Sequence, residues 1–236
     1  MEITYLYHSG FAVETERHFL VFDYWRDTPK NGKLKDGVID PMEIREKDVL
    51  VFASHRHRDH YNKVILEWPE AIPRCRIFLS DDIDVAKGAV MLAPDEELAG
   101  GDFELKTLRS NDEGVAFLLR IDSKLIYHAG DLNWWHWQGE PGSWNEDIKA
   151  SYQREIGLLA NEKVDLAFVP VDPRLKDQYA WGIDHFMRTV ETRRVVPMHF
   201  GSKARVVERL MGDEAAKPYA NRIIAMTTRG MRVEVD

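Results

Sequence analysis

Short apolar bursts separated by turn residues open the chain. Residues 3–7, 11–15 and 19–23 alternate or run apolar, with Ser9-Gly10 between the first two, and this predicts three short strands. Residues 28–40, rich in Lys, Asp, Gly and Pro, predict an exposed loop. A different rhythm follows. Residues 49–53 are apolar throughout, the pattern of a strand buried on both faces, and they lead into a histidine-rich segment. Residues 64–68 then read as a short helix. Residues 76–79 repeat the apolar run and end at Ser80-Asp81-Asp82. Residues 117–121 and 125–129 predict a hairpin turned at Asp122-Ser123-Lys124, with Gly130-Asp131 after its second strand. Residues 166–171 end at Asp172, and 194–198 end at His199-Phe200-Gly201.

Helical spacing intervenes. Residues 147–160 place Ile148, Tyr152, Ile156 and Leu159 on one helical face. Residues 184–194 and 202–211 read similarly, with Ser202 as the N-cap of the latter. Residues 223–226 and 231–235 predict a closing pair of strands. There is no internal repeat and no low-complexity tract. Strands first, then strands alternating with helices, predict sheets packed together with helices outside, in one domain over 1–236.

Composition narrows the class. Hydrophobic residues make up 44% of the chain, enough for a core and against disorder. The net charge of −8 comes without basic runs, so nucleic acid and anionic membrane are not expected partners, since both need clustered Lys and Arg. The single cysteine, Cys75, excludes an internal disulfide. Arg74 and Arg76 flank it, but a half-buried strand residue is the favoured reading. No apolar stretch nears the roughly 18 residues of a membrane span, and no basic and apolar leader opens the chain. The expected location is cytoplasmic.

The chemistry concentrates at one place. His55-x-His57-x-Asp59-His60 gathers three of the nine histidines and a carboxylate. Buried imidazoles need a hydrogen-bond partner or a ligand, and a divalent metal needs such nitrogen and oxygen donors converging on one point. Arg56 and Arg58 would be repelled by a cation and are expected to point away. His55, Asp131 and His199 each follow an apolar strand, at the edge where ligand residues gather in α/β sheets.

These residues carry a family resemblance over nearly the whole chain. The His55–His60 run resembles the main signature of the metallo-β-lactamase-fold hydrolases. Tyr7-His8-Ser9-Gly10-Phe11 is similar to the opening of the lactonase-like branch related to ascorbate-6-phosphate lactonase. Leu20-Val21-Phe22-Asp23 resembles the early strand whose Asp supports the metal site from behind. Tyr127-His128-Ala129-Gly130-Asp131 resembles the segment whose Asp bridges two metals, and Pro197-Met198-His199-Phe200 the one carrying the last ligand. The resemblance implies a four-layer αββα sandwich, of α+β or α/β class, with two mixed sheets and helices on the outer faces. It implies one metal position using His55 and His57, another using Asp59, His60 and His199, and Asp131 between them. One or two divalent ions are implied, zinc first, with manganese or iron as alternatives. Such an ion lowers the pKa of water towards about 7 and makes a nucleophile at neutral pH; Asp59 and Asp131 are the candidate catalytic carboxylates.

The sequence departs from the family at one point. A further His ligand is expected before the 115–121 strand, but residues 108–114 contain none. Asp112, Asn111 or water is left to fill that position, and His185 and His8 are further candidates as substitute ligands or supports. His128, three residues before Asp131, is a candidate support. His18 and His136 read as ordinary. Trp134, Trp135 and Trp137, with Trp144 nearby, hold four of the seven tryptophans and could wall a pocket or simply tie a loop to the sheet. Lys203 and Arg205 could meet an anionic substrate, although a solvated helix face is the plainer reading.

The expected function is therefore hydrolysis of a small ester, lactone or phosphodiester-like molecule by metal-activated water. The alternative is a degenerate binding or structural member of the fold, which the missing His motivates. Di-iron redox members tend to carry Glu at the second His, and His57 counts against that class. Oligomeric state is left open.

Overall fold

The computed structural model describes residues 1–235. Among the described residues, thirteen strands form two sheets. The first sheet contains β1 (Glu2–Tyr7), β2 (Gly10–Glu14), β3 (His18–Phe22), β4 (Asp48–Ala53), β5 (Cys75–Ser80), β6 (Ala89–Leu92) and β13 (Arg232–Glu234). Its order is β13-β1-β2-β3-β4-β5-β6. The hairpins from β1 to β3 pair antiparallel, and β3 to β6 pair parallel. The second sheet contains β7 (Glu97–Ala99), β8 (Phe103–Arg109), β9 (Val115–Ile121), β10 (Lys124–His128), β11 (Lys163–Pro170) and β12 (Glu191–Met198), ordered β12-β11-β10-β9-β8-β7. Both sheets are mixed, and the turn at Asp122-Ser123 closes the β9–β10 hairpin as the sequence predicts.

Period-two alternation sorts side chains between the faces. Leu20, Phe22, Leu50, Phe52 and Phe78 face the second sheet, where they meet Phe117, Leu119, Ile126 and Phe168. Phe22, Phe52 and Phe78 stack in a row across three strands, with centroids 4.9 and 5.1 Å apart. Each such pair adds about 0.5–1.5 kcal/mol beyond the area it buries. Val21, Val49, Val51, Ile77 and Leu79 face outward and are covered by Ile44 of the short helix α1 (Pro41–Ile44), Ile65 of the 3-10 turn Lys63–Glu67, and Trp68 and Ile72 at the two ends of α2 (Trp68–Ala71). The second sheet is covered by α3 (Gly142–Gly157), α4 (Trp181–Thr189) and α5 (Arg205–Gly212). This is the expected four-layer αββα arrangement.

Several local expectations need correction. The helix predicted from 147 begins at Gly142, five residues earlier, with Pro141 as its N-cap and no side-chain cap to mark the start in sequence. Ser202 caps nothing. It lies in the turn after Gly201, and α5 starts at Arg205 behind Ala204. The helix predicted over 184–194 runs earlier, and Glu191–Met198 is strand instead. Only Arg232–Glu234 of the closing strand pair forms; Ile223 makes a single bridge to Val195. Strands β6, β7 and β8 were not expected. Cys75 is a half-buried β5 residue, and burial pushes its thiol up to about 11, which keeps it unreactive. No helix among the described residues is long and apolar enough to cross a membrane.

Candidate metal centre

Strand exits from both sheets meet at one edge. Asp23 follows β3, Ser54 and His55 follow β4, Asp131 follows β10, Asp172 follows β11 and His199 follows β12. The β1–β2 turn adds His8, and the β8–β9 turn adds Asp112. Three of these, His8, Asp23 and His199, adopt left-handed backbone at φ 61°, 46° and 66°. Such backbone costs a non-glycine residue of order 1–3 kcal/mol and aims the side chain sharply off the strand. Gly114 and Gly130 serve the same edge differently. Both have positive φ, and a Cβ would stand 2.0 Å from the Ser54 carbonyl oxygen at Gly114 and 2.7 Å from the Ser54 Cβ at Gly130. Their bare backbones let the second sheet close onto the histidine segment.

Asp23 organises the interior side. Its carboxylate is fully buried and accepts from the Ser54 backbone N–H at 2.8 Å, the Ser54 hydroxyl at 2.8 Å and His60 Nδ1 at 2.7 Å. Burial pushes its pKa up, but the His128 and His60 charges prevail and hold it below the usual carboxylate range. Since the Ser54 hydroxyl donates to Asp23, its oxygen is left to accept from His55 Nδ1 at 3.0 Å. His199 Nδ1 likewise meets Asp172 at 3.0 Å. Each ring therefore carries its proton on Nδ1 and turns Nε2 inward.

Those inward nitrogens converge on Asp131. His60 and His199 Nε2 lie 3.2 Å from its Oδ1, and His55 Nε2 lies 3.5 Å from its Oδ2. Yet Nε2 of His55 and His60 and Oδ1 of Asp131 are buried without an aligned hydrogen-bond partner. A buried polar atom left unpaired costs about 1–3 kcal/mol. Several sharing one point fit a cation that takes all their lone pairs. Without a cation, the neighbouring charges shift these groups in different directions. Burial lowers the pKa of His199, but Asp131 and Asp172 outweigh it and push it up to about 10. His60 is raised by Asp131 and Asp23 against the same burial. Asp131 is held well below the carboxylate range, because His60 and His199 overcome its burial. His55 falls to about 4 through burial and the His60 charge.

The donors fall into three overlapping groups, each with its atoms within 4.8 Å of one another: His8, Asp59, His60 and His199; His55, His60 and Asp131; and His57, Asp112 and Asp131. The expected residues are thus brought together, with His8 and Asp112 beside them. His8 Nδ1 accepts from the Gly201 N–H at 3.1 Å, so the neutral ring carries its proton on Nε2. That atom stands 3.3 Å from Asp59 Oδ2 and helps hold the Asp59 carboxyl below its usual range, and like those of His55 and His60 it is buried without an aligned hydrogen-bond partner. Asn111 is spent elsewhere: its amide bonds the backbone of Asn133 at 2.8 and 3.2 Å. Asp112 is left free, and burial with the Asp131 charge raises its pKa. Arg56 points away as expected and grips Glu113.

His128 donates Nε2–H to the Ser9 carbonyl at 2.9 Å and accepts from the Gly130 N–H at 3.2 Å, which leaves no lone pair for a metal. His185 is corrected. It sits on α4 against Trp134 and Tyr152 and belongs to none of the donor groups, because the helix holds it on the outer layer. Trp134 is corrected too: from its loop it packs against Trp181 and His185 of α4, while Trp135 and Trp137, past a tight turn, line a cavity of about 230 Å³ with Trp144. Asp59, Asp112, Asp131 and His199 line it too. A larger concavity of about 490 Å³ over β7–β9 holds no such donor set. Asp172 and Arg174 escaped the sequence reading as site residues. Asp172 does follow an apolar strand, as His55, Asp131 and His199 do, and that was its available signal.

No protein-family model matches the chain. It is 26% identical over 230 residues, 87% of either chain, to a protein of Opitutus terrae named UPF0173 metal-dependent hydrolase. Among solved structures it resembles Igni18, a metallo hydrolase from the archaeon Ignicoccus hospitalis, with TM-score 0.68 and 16% identity, covering 100% of this chain and 99% of that one. It also resembles YhfI of Bacillus subtilis, a metallo-β-lactamase fold protein, with TM-score 0.58 and 14% identity over 98% of each chain. The architecture is the metallo-β-lactamase fold.

Proposed function

We propose that the chain is a metal-dependent hydrolase of a small ester, lactone or phosphodiester. The observation that carries this is the convergence of the unpartnered, buried Nε2 atoms of His55 and His60 on the Asp131 carboxylate, His60 on its unpartnered Oδ1 and His55 on Oδ2. The similar protein of Opitutus terrae is named a metal-dependent hydrolase, which supports the same reading. His60, His199, Asp59 and Asp131 would hold one ion, and His55, His57, Asp131 and Asp112 a second, with Asp112 in place of the missing His. Bound there, a divalent ion supplies Lewis acidity and a water acidic enough to be nucleophilic at neutral pH.

The chain's own residues do the rest. Asp23 and Asp172 fix ring orientation from behind, so the inward nitrogens need not reorganise. Asp59, half exposed at the cavity, is kept ionised by His8. A carboxylate held that low is a weak base, so its part is to accept a hydrogen bond from the attacking water and orient it. Trp135 and Trp137 exclude bulk water on one side. The cavity of about 230 Å³ is below the roughly 300–1,000 Å³ of drug-sized pockets, which favours a compact substrate.

Metal analysis of protein purified without added metal, with hydrolysis of lactone and phosphodiester probes before and after chelation, tests this. Bound metal and chelator-sensitive turnover are expected. Absence of bound metal, with no loss of metal affinity in His57→Ala, would end the reading. The binding-module alternative draws on the open half of the centre, where the His57 side chain is 44% exposed and lies 3.6 Å from the Glu113 carboxylate. Tight metal binding with no turnover of any probe would favour it.

A further inference from the structure

Arg174 is the one Lys or Arg that lines the cavity beside the centre. Its Nε and Nη2 both donate to Asp172 Oδ2, at 2.8 and 2.5 Å, and its guanidinium lies 5.6 Å from the Trp137 ring centre. Nη1 has no hydrogen-bond partner among the described residues. A half-exposed arginine normally samples many rotamers, and fixing one costs side-chain entropy. Here Asp172 and Trp137 have fixed it before any ligand arrives, with both Nη1 N–H groups and the second Nη2 N–H left over.

We infer that Arg174 sets substrate choice by receiving an oxyanion group, a carboxylate or phosphoryl oxygen, carried by the substrate away from the bond that is cleaved. The inference rests on the hydrolase reading, because Asp59, Asp112 and Asp131 on the same cavity wall repel anions until bound cations balance them. A planar donor fork is the group that best matches such oxygens. Trp135 and Trp144 offer the remaining wall to the apolar part of the molecule. The substrate class that fits is a compact, singly anionic ester, lactone or phosphoester. Lys203 and Arg205, the sequence-level candidates for this task, do not line the cavity.

The test uses matched ester and lactone probes ending in a carboxylate, a phosphonate or a methyl group, on metal-loaded wild type, Arg174→Gln and Arg174→Lys. Gln can still donate to Asp172 while lacking the charge. Binding of benzoate, phenylphosphonate and benzamide, followed by tryptophan fluorescence, gives a readout that needs no turnover. Wild type is expected to prefer the anionic probes about tenfold or more, mainly through KM. Arg174→Gln is expected to lose that preference, with its penalty on anionic probes about tenfold heavier than on the methyl probe, and Arg174→Lys to restore part of it. Comparing the carboxylate and phosphonate arms tells which oxyanion is the better match. An equal penalty on all probes would make Arg174 a positioning residue acting through Asp172 and His199, and would overturn the inference. So would a wild type without preference in turnover or binding. Selective anion binding lost in Arg174→Gln, with no probe hydrolysed, would leave the inference standing while the hydrolase reading fell.

Discussion

The sandwich carries a buried imidazole–carboxylate cluster at each end, and they differ in who supplies the positive charge. At the end where β3 begins, His18 sits between two carboxylates, Nδ1 at 2.8 Å from Asp122 and Nε2 at 3.0 Å from Asp102. Asp122 also accepts from Arg17 at 2.9 Å, and Asp102 takes a two-pronged Arg76 at 2.8 and 2.7 Å. Every nitrogen and oxygen has work within the chain, and permanent cations balance the acids. The cluster joins the first sheet to turns of the second and asks for nothing further. At the end where β3 finishes, Asp23 and Asp131 have only imidazoles and a serine as partners, and inward atoms stay unpaired. The same residue types make a clasp in one place and, in the proposed reading, a receptor for cations in the other. Unpartnered atoms, more than histidine count, separate the two.

Substitutions at the two ends can break that contrast. The largest effect is expected from Asp131→Ala, which removes the carboxylate that three rings face; metal content by mass spectrometry should fall to background, with turnover lost. Retained stoichiometric metal would mean the inward atoms are not the receptor. Asp23→Asn and Asp172→Asn weaken the support behind His60 and His199 while leaving the inward ligands in place, and should weaken metal affinity by about 10–100-fold. Asp122→Asn, at the clasp, should cost about 1–3 kcal/mol of unfolding free energy and leave metal content alone, as read by denaturation and metal analysis. A loss of metal there would merge the two ends into one system.

The acid–base behaviour sharpens the comparison further. In metal-free protein the His199 ring, raised to about 10 by Asp131 and Asp172 against its burial, holds a proton that a metal must displace. Metal affinity should therefore rise with pH, by up to about tenfold per unit for each proton released, in competition titrations between about pH 6 and 9. The stability sign runs the other way. A folded pKa above the unfolded 6.5 stabilises the metal-free protein fully below 6.5 and loses that contribution as pH rises through about 10. Metal-loaded protein should lack this alkaline loss. The smallest effect is expected from Asp112→Asn, under about tenfold on one metal equivalent only, since its carboxylate lies on the exposed half of the centre.

Much of this was legible in the sequence where burial is extreme. The runs at β4, β10, β11 and β12 are apolar because both faces are covered, so the positions just beyond them could be picked out as the functional edge. The His55–His60 cluster announced itself by its cost in a core. What stayed hidden depends on neighbours. β8 buries Phe103, Leu105 and Thr107 but exposes Glu104 and Arg109, a half-covered pattern that charge disguised. Asp172 and Arg174 are single polar residues whose meaning comes only from His199 and Trp137 across the fold. Trp134 and Trp135 are adjacent in sequence and face different layers, a choice made by a turn and not by residue type.

The left-handed backbone at His8, Asp23 and His199 has a consequence for how this centre can change over generations. Among residues with a side chain, that conformation is entered most readily by Asn, Asp and His. These are also among the residues that offer oxygen or nitrogen to a metal. At these three exits the backbone therefore admits substitutions mostly from within the donor alphabet. Drift that would erase the chemistry with a branched or bulky apolar residue meets a conformational barrier first, while exchange of one donor for another stays open.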